Sequence, residues 1–145
     1  MENEASIDME MGPIDYLVVE WPDRQPRGEA APYLIDLVDR GLIRILDLAF
    51  VVKDPDGSVS RLEIADLGDE FGVFVGASSG LLSDEDADDA AAALEPGTSA
   101  ALLVYENTWA APFATAMRRS GAQLVAGGRI PTQALIAALD AAESA

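Results

Sequence analysis

The most site-like pattern in the chain is a run of carboxylates. Asp84, Asp86, Asp88 and Glu95 occupy positions 1, 3, 5 and 12 of a calcium-binding loop register. That loop requires a glycine at position 6 for its sharp turn, where this chain has Asp89. The alanine run that follows favours a helix, which would point the carboxylates in different directions. Calcium binding is therefore a minor hypothesis, and we expect no metal and no other cofactor.

A second set of polar residues lies at the ends of two predicted strands. Glu20 is near the end of the first, and Tyr105 and Glu106 end another. They are the candidate residues for a cleft between sheet and helices, in a small ligand-binding protein or enzyme. An acid and a base must face one substrate, whereas antiparallel neighbouring strands put Glu20 and Glu106 at opposite ends of the sheet. This function is therefore the alternative and not the leading hypothesis.

Missing residue types and net charge exclude several kinds of activity. The 145 residues contain no histidine and no cysteine, which removes imidazole bases, thiolate nucleophiles and the metal sites these residues build. Acidic side chains outnumber basic ones 26 to 9, for a net charge of −17. Because nucleic acids and anionic membranes attract proteins mainly through Lys and Arg, we expect neither as a partner. No apolar run reaches the roughly 20 residues of a membrane span. With no secretory signal visible at the start, we expect a cytoplasmic protein.

Hydrophobic periodicity and turn residues predict alternating strands and helices. Strands are expected at 15–21, 43–53, 58–64, 99–106 and 123–126. Helices are expected at 29–40, 83–94 and 109–120, with another beginning at Pro131-Thr132. Residues 1–11 form an acidic arm that we expect to be flexible, and residues 12–145 form one domain.

A short internal repeat suggests how these elements are arranged. Ala31-Pro32-Tyr33 and Ala111-Pro112-Phe113 lie 80 positions apart, and each precedes a glycine at the predicted helix end, Gly41 and Gly121. Each copy therefore contains a strand, a helix, a glycine and a second strand. Two such βαβ units related by a pseudo-twofold axis make a ferredoxin-like α+β sandwich, here with an extra β-strand and a C-terminal helix.

Apolar residues outside this repeat are candidates for an interface. Gly72, Gly76 and Gly80 have the G-x-x-x-G spacing that lets two backbones approach closely in a helix, although a glycine-rich loop is the simpler interpretation. The segment also carries Phe71 and Phe74. Two tryptophans end the first strands of the repeat and could cover a partner surface. The complete set of candidate interface residues is Phe71, Gly72, Phe74, Gly76, Gly80, Trp21 and Trp109.

Five stretches of the sequence carry a family resemblance. They are MGPIDYLVVEWP, LVDRGLIRILDLAFVVKDPDGSV, LLSDED, and EPGTSAALLVYENTWA followed by AMRRSGAQLVAGGRIP, and they cover most of residues 11–145. They resemble an uncharacterised actinomycete family of small acidic proteins, known as a domain of unknown function. More distantly, the chain is similar to ferredoxin-like proteins with a long glycine-zipper insertion, described as membrane or stress-associated proteins. The insertion corresponds here to Gly72 to Gly80, too short to cross a membrane. Neither family implies a catalytic residue.

These observations favour a non-enzymatic function. We expect a cytoplasmic protein that acts through homo-oligomerisation or interaction with an unidentified protein partner, with a stress-associated role. The absence of a recognised catalytic motif and the exposed apolar residues support this over the ligand-binding alternative.

Overall fold

A four-stranded antiparallel sheet lies at the centre of the computed structural model, which describes residues 11–144. Valine, isoleucine and aromatic residues, which favour strands, are frequent in the first two strands along the chain. In space the strands are ordered β1-β4-β2-β3. Along the chain they are β1 (Ile14–Trp21), β2 (Arg44–Lys53), β3 (Val59–Leu62) and β4 (Thr98–Glu106).

Within residues 11–144, four α-helices and three short 3-10 helices surround or extend this sheet. The four predicted α-helices are confirmed. Two of them, α1 and α3, have a proline in the first turn, where a missing N–H costs no hydrogen bond. The α-helices are α1 (Ala31–Asp39), α2 (Asp84–Ala91), α3 (Ala111–Arg119) and α4 (Thr132–Ser144). The 3-10 helices are Ile64–Asp66, Asp69–Phe74 and Thr108–Ala110.

Both faces of the sheet are covered in its β2 half. On one face, Ala49, Val51 and Leu102 pack against Ala87 and Ala91 of α2. We call this the α2 face. On the opposite face, the α1 face, a second apolar cluster joins α1 to the 3-10 helix Asp69–Phe74; its buried members are Ala31, Leu48, Phe50, Ile64, Phe71 and Phe74.

The predicted last strand, Gln123 to Ala126, is wrong. The described residues between α3 and α4 form no strand, and Leu124 and Val125 are 88% and 92% exposed. Four residues between glycines offer few hydrogen bonds to a neighbouring strand, and glycine weakens strands.

The mixed α+β class with an antiparallel sheet is confirmed. The ferredoxin-like arrangement of two βαβ units is not, because the second unit lacks its closing strand.

The segment containing Gly72, Gly76 and Gly80 is a loop and not a continuous helix. The 3-10 helix ends at Phe74, and Gly76 and Gly80 then have φ values of +95° and +83°, which side-chain-bearing residues rarely adopt. The three glycines therefore do not line one face of a helix.

The first described residues are held against the end of β4. Gly12 donates its N–H to Glu106 Oε2 at 2.8 Å, and a Cβ at this position would lie 2.1 Å from the carbonyl oxygen of Asn107. Only glycine fits there. The predicted arm at residues 1–11 lies, apart from Met11, outside the described residues. Within residues 11–144, no helix has the length and apolar character needed to cross a membrane.

Candidate functional site

At one edge of the sheet, β1 has no described strand on its outer side, although Gly127, Gly128 and Arg129 line a pocket together with its first three residues. β1 pairs with β4, from Ile14 opposite Glu106 to Trp21 opposite Ser99, and no described strand pairs with its other side. The side chain of Tyr16 is 76% exposed, and Val19 is 47% exposed. A long apolar edge strand presents unpaired N–H and C=O groups to any second strand. We call residues Ile14–Trp21 the β1 edge.

The side chains of the β1 edge divide between the two faces of the sheet because successive residues of a strand alternate. Val18 is opposite Leu102, which belongs to the cluster under α2, and Val19 is opposite Ala101, which packs on the α1 side. The α2 face therefore carries Ile14, Tyr16, Val18 and Glu20, and the α1 face carries Asp15, Leu17, Val19 and Trp21.

A groove of about 530 Å³ runs between the β1 edge and helix α2 on the α2 face. We call it the α2 groove. Its floor is apolar sheet, its far wall is the helix, and none of the residues that line it is basic. The sheet contributes Tyr16, Val18, Leu102 and Val104, and the segment containing α2 contributes Leu82, Asp86, Asp89, Ala90 and Ala93.

Helix α2 is fixed at both ends. At its start the Ser83 hydroxyl accepts a hydrogen bond from the Asp86 N–H at 3.1 Å, and the Asp86 carboxylate accepts one from the Ser83 N–H at 2.9 Å, so that the S-x-x-D spacing forms a capping box. Hydrogen bonds to the Asp86 carboxylate, first from the Ser83 N–H and then from the Ser83 side chain, lower the pKa of Asp86. At the other end, Lys53 Nζ donates to the carbonyls of Ala91 and Leu94, each at 3.0 Å. A cation there also offsets the negative end of the helix dipole.

A buried carboxylate ties the preceding loop to the sheet. Asp47 in β2 is fully buried, and its two oxygens accept hydrogen bonds from the N–H groups of Ser79 at 2.8 Å, Leu82 at 2.7 Å and Leu48 at 2.9 Å. Asp47 therefore positions the entry into α2 and one end of the α2 groove. Sequence reasoning missed this role, although a lone acidic residue within an apolar strand is itself a signal of a buried polar contact.

The candidate interface residues fall into three groups. Trp21 stacks on Phe50 with ring centroids 6.4 Å apart, and together with buried Phe71 and Phe74 it lines an apolar pocket of about 140 Å³ on the α1 face. The space around the three glycines is open, because a Cβ added at Gly72, Gly76 or Gly80 would have no neighbouring atom within 4 Å. Trp109 lies elsewhere, before α3, and is 66% exposed.

The candidate cleft residues do not converge. Glu106 is buried. Its carboxylate accepts hydrogen bonds from the Arg44 guanidinium, with Nε 2.9 Å from Oε1, and from the Gly12 N–H. Glu20, at the other end of β1, accepts a hydrogen bond from the Glu95 N–H at 2.9 Å. Tyr105 alternates with Glu106 and faces the α1 side. These contacts join chain segments, and Glu20 and Glu106 lie at opposite ends of the β1–β4 pair.

The carboxylates in the calcium-loop register are distributed around helix α2. Asp84, Asp86 and Asp88 lie on a regular helix, and Glu95 follows it. Among residues 11–144 no group of three or more acidic side chains is placed to hold a metal ion.

Comparison with known proteins supports the resemblance in part. The chain belongs to a family of unknown function (DUF6325), whose model matches residues 10–144. No curated protein and no solved structure matches the chain significantly. Membership of an uncharacterised family is therefore confirmed, whereas actinomycete origin and the distant similarity to glycine-zipper proteins stay predictions.

Proposed function

We propose that this family member is a non-enzymatic protein that self-associates by pairing its β1 edge with the β1 edge of a second copy. The observation that carries the proposal is an eight-residue strand with one unpaired side and exposed apolar side chains on both faces. Natural sheets normally shorten, charge or cover such an edge, because it pairs readily with other strands.

The β1 edge is chemically suited to pair with itself. A twofold axis perpendicular to the sheet makes the two strands antiparallel and keeps each face continuous, so a residue can oppose only residues of its own face. Asp15 and Glu20 belong to opposite faces and therefore never oppose each other. With Val18 opposite Val18 of the second copy, Asp15 opposes Trp21, Glu20 opposes Tyr16, and Leu17 opposes Val19. No like charges meet, despite the net charge of −17.

The apolar pocket containing Trp21 lies beside this edge and extends the contact on the α1 face. Of the candidate interface residues, Trp21 is the one that belongs to the proposed contact. Phe71 and Phe74 support it from within the core, and the glycines and Trp109 lie outside it. Cytoplasmic location and a stress-associated role stay predictions.

The test is absolute mass in solution by size-exclusion chromatography with light scattering across a range of protein concentrations. We expect the wild-type chain to have twice its 15.3 kDa mass and Val19→Asp to be monomeric. The new carboxylate would oppose Leu17, or Asp15 if the register shifts by one pair, and both are unfavourable. Val19 is 47% exposed, so the monomer should keep its fold.

Val75→Asp is the matched control, because Val75 is 59% exposed and lies in the loop of residues 71–82. It makes the same change of charge and size and should leave the dimer intact. A wild-type monomer at all concentrations would overturn the proposal. So would dissociation by Val75→Asp and not by Val19→Asp, which would assign the interface to the glycine-containing loop. Circular dichroism of each variant checks that the fold is retained.

A further inference from the structure

The α2 groove has the shape and chemistry of a docking surface. Its floor is formed by apolar side chains of two neighbouring strands, and Tyr16, 76% exposed, borders it on the open side. Ala90 and Ala93 are small and let a docked backbone approach the helix. A groove between a helix and a partly bare sheet is a suitable place for an added amphipathic helix.

The charge around the groove selects the kind of occupant. Asp86 and Asp89 point to it from α2, and the exposed Glu85 and Asp88 lie beside them on the same helix. Arg61, a basic residue near the start of this helix, is held by Asp84 and the Leu82 carbonyl and does not line the groove. An occupant with Lys or Arg along one side would therefore gain attraction without displacing an internal ion pair.

The chain itself offers no suitable occupant among its described residues. Helix α4 has no buried residue and has an apolar side, but its charged residues are Asp140 and Glu143. A second copy brings the same acidic helix and the same net charge of −17. Of the described α-helices only α3 carries basic residues, Arg118 and Arg119 in its last turn, and Arg118 already donates to the Met11 carbonyl. A helix with basic residues along its length must therefore come from a different molecule.

We infer that the α2 groove binds a basic amphipathic helix of another protein, with its apolar side on the sheet and its Lys or Arg side chains against Asp86 and Asp89. This inference concerns the α2 face and does not depend on pairing of the β1 edge.

The experiment measures fluorescence anisotropy of a labelled 18-residue Leu/Lys amphipathic helix titrated with the full chain, with a Leu/Glu peptide of the same pattern as the reference probe. We expect the basic peptide to bind and the acidic one not to bind. Ala93→Trp should weaken binding at least tenfold, because it fills the groove without changing charge. Ala92→Trp, the matched control on the adjacent residue that does not line the groove, should remain within twofold of wild type.

A second pair of variants separates docking from general attraction between a polycation and an acidic protein. Asp86→Asn with Asp89→Asn should weaken binding at least tenfold, whereas Asp66→Asn with Asp69→Asn, near the α1 face, should stay within twofold. Equal loss in both double variants, wild-type binding by Ala93→Trp, or no binding of the basic peptide would each overturn the inference. Val19→Asp should still bind, so failure of the dimer proposal and failure of this one are distinguishable.

Discussion

The two edges of the sheet differ in length and protection. β3 has four residues, VSRL, and its Arg61 side chain bonds to the Leu82 carbonyl and to Asp84, each at 3.2 Å. β1 has eight residues, and of its large apolar side chains Ile14, Tyr16, Val18 and Val19 are all exposed. Shortness and charge are the usual means by which proteins prevent edge-to-edge pairing. The β3 edge uses both and the β1 edge uses neither along its central residues.

This contrast shows that the exposed apolar edge is specific to β1 and that the other edge strand, β3, is protected. The side of the sheet near β3 is also the side where the loop before α2 is held by hydrogen bonds to the buried carboxylate of Asp47. A sequence that protects one edge and leaves the other apolar is consistent with a functional contact at the second.

The largest effect is expected at Asp47, which fastens the protected side. In Asp47→Asn the side-chain NH₂ group would face one of the three N–H donors that the carboxylate now satisfies. Losing charge-assisted bonds and leaving a buried donor unpaired should lower the free energy of unfolding by about 3 kcal/mol. For a domain of this size the melting temperature should fall by about 6–12 °C.

Thermal melts and urea titrations measure this effect. Asp39→Asn, an exposed position at the end of α1, makes the same chemical change and should alter stability by less than about 0.5 kcal/mol. Equal stability of the two variants would show that Asp47 does not hold the loop.

The elements of the protected side were the most predictable from sequence, for physical reasons. The turn at Asp54-Pro55-Asp56-Gly57 predicts the β2–β3 hairpin, and the Ser83 capping box predicts the start of α2; both signals act between residues close in the chain. The antiparallel pairing of β1 with β4, inferred from the repeat, is also confirmed.

The remaining features depend on contacts between distant residues, which a single sequence does not show. The predicted strand at Gln123–Ala126 had no neighbour with which to pair. Asp47 and Lys53 bond to groups more than 30 positions away, so their roles appear only in three dimensions. For the same reason, the candidate cleft of Glu20, Tyr105 and Glu106 could be named from strand ends, but the α2 groove could not.

A smaller effect is expected in the glycine-containing loop, which competes with β1 as a possible interface. Gly76 has φ +95°, so Gly76→Leu should cost about 1–2 kcal/mol through backbone strain and lower the melting temperature. Gly72 has no positive φ and equally open surroundings, which makes Gly72→Leu the matched control with little change in stability.

Neither leucine should change the mass in solution, because the proposed contact is at β1. Dissociation of a wild-type dimer by both leucine variants would reverse the comparison and place the interface in this loop. Light scattering and thermal melts on the same samples distinguish strain from loss of contact.

The smallest effect concerns two exposed aspartates, one beside each edge. Asp86 borders the α2 groove near β1, and Asp56 lies in the turn leading to β3; hydrogen bonds from Ser83 and Ser58, respectively, lower their pKa values. A carboxylate whose pKa is lower in the folded state stabilises the fold above its unfolded pKa of about 3.9, and this contribution disappears as the pH falls through the folded value. Ser83→Ala should therefore raise the pKa of Asp86 and leave that of Asp56 unchanged, and Ser58→Ala should do the reverse. Carboxyl-carbon NMR titrations between pH 2 and 6 measure the pKa values of both aspartates. A changed pKa of Asp56 in the Ser83→Ala variant would show that the two sides of the sheet are coupled and not independent.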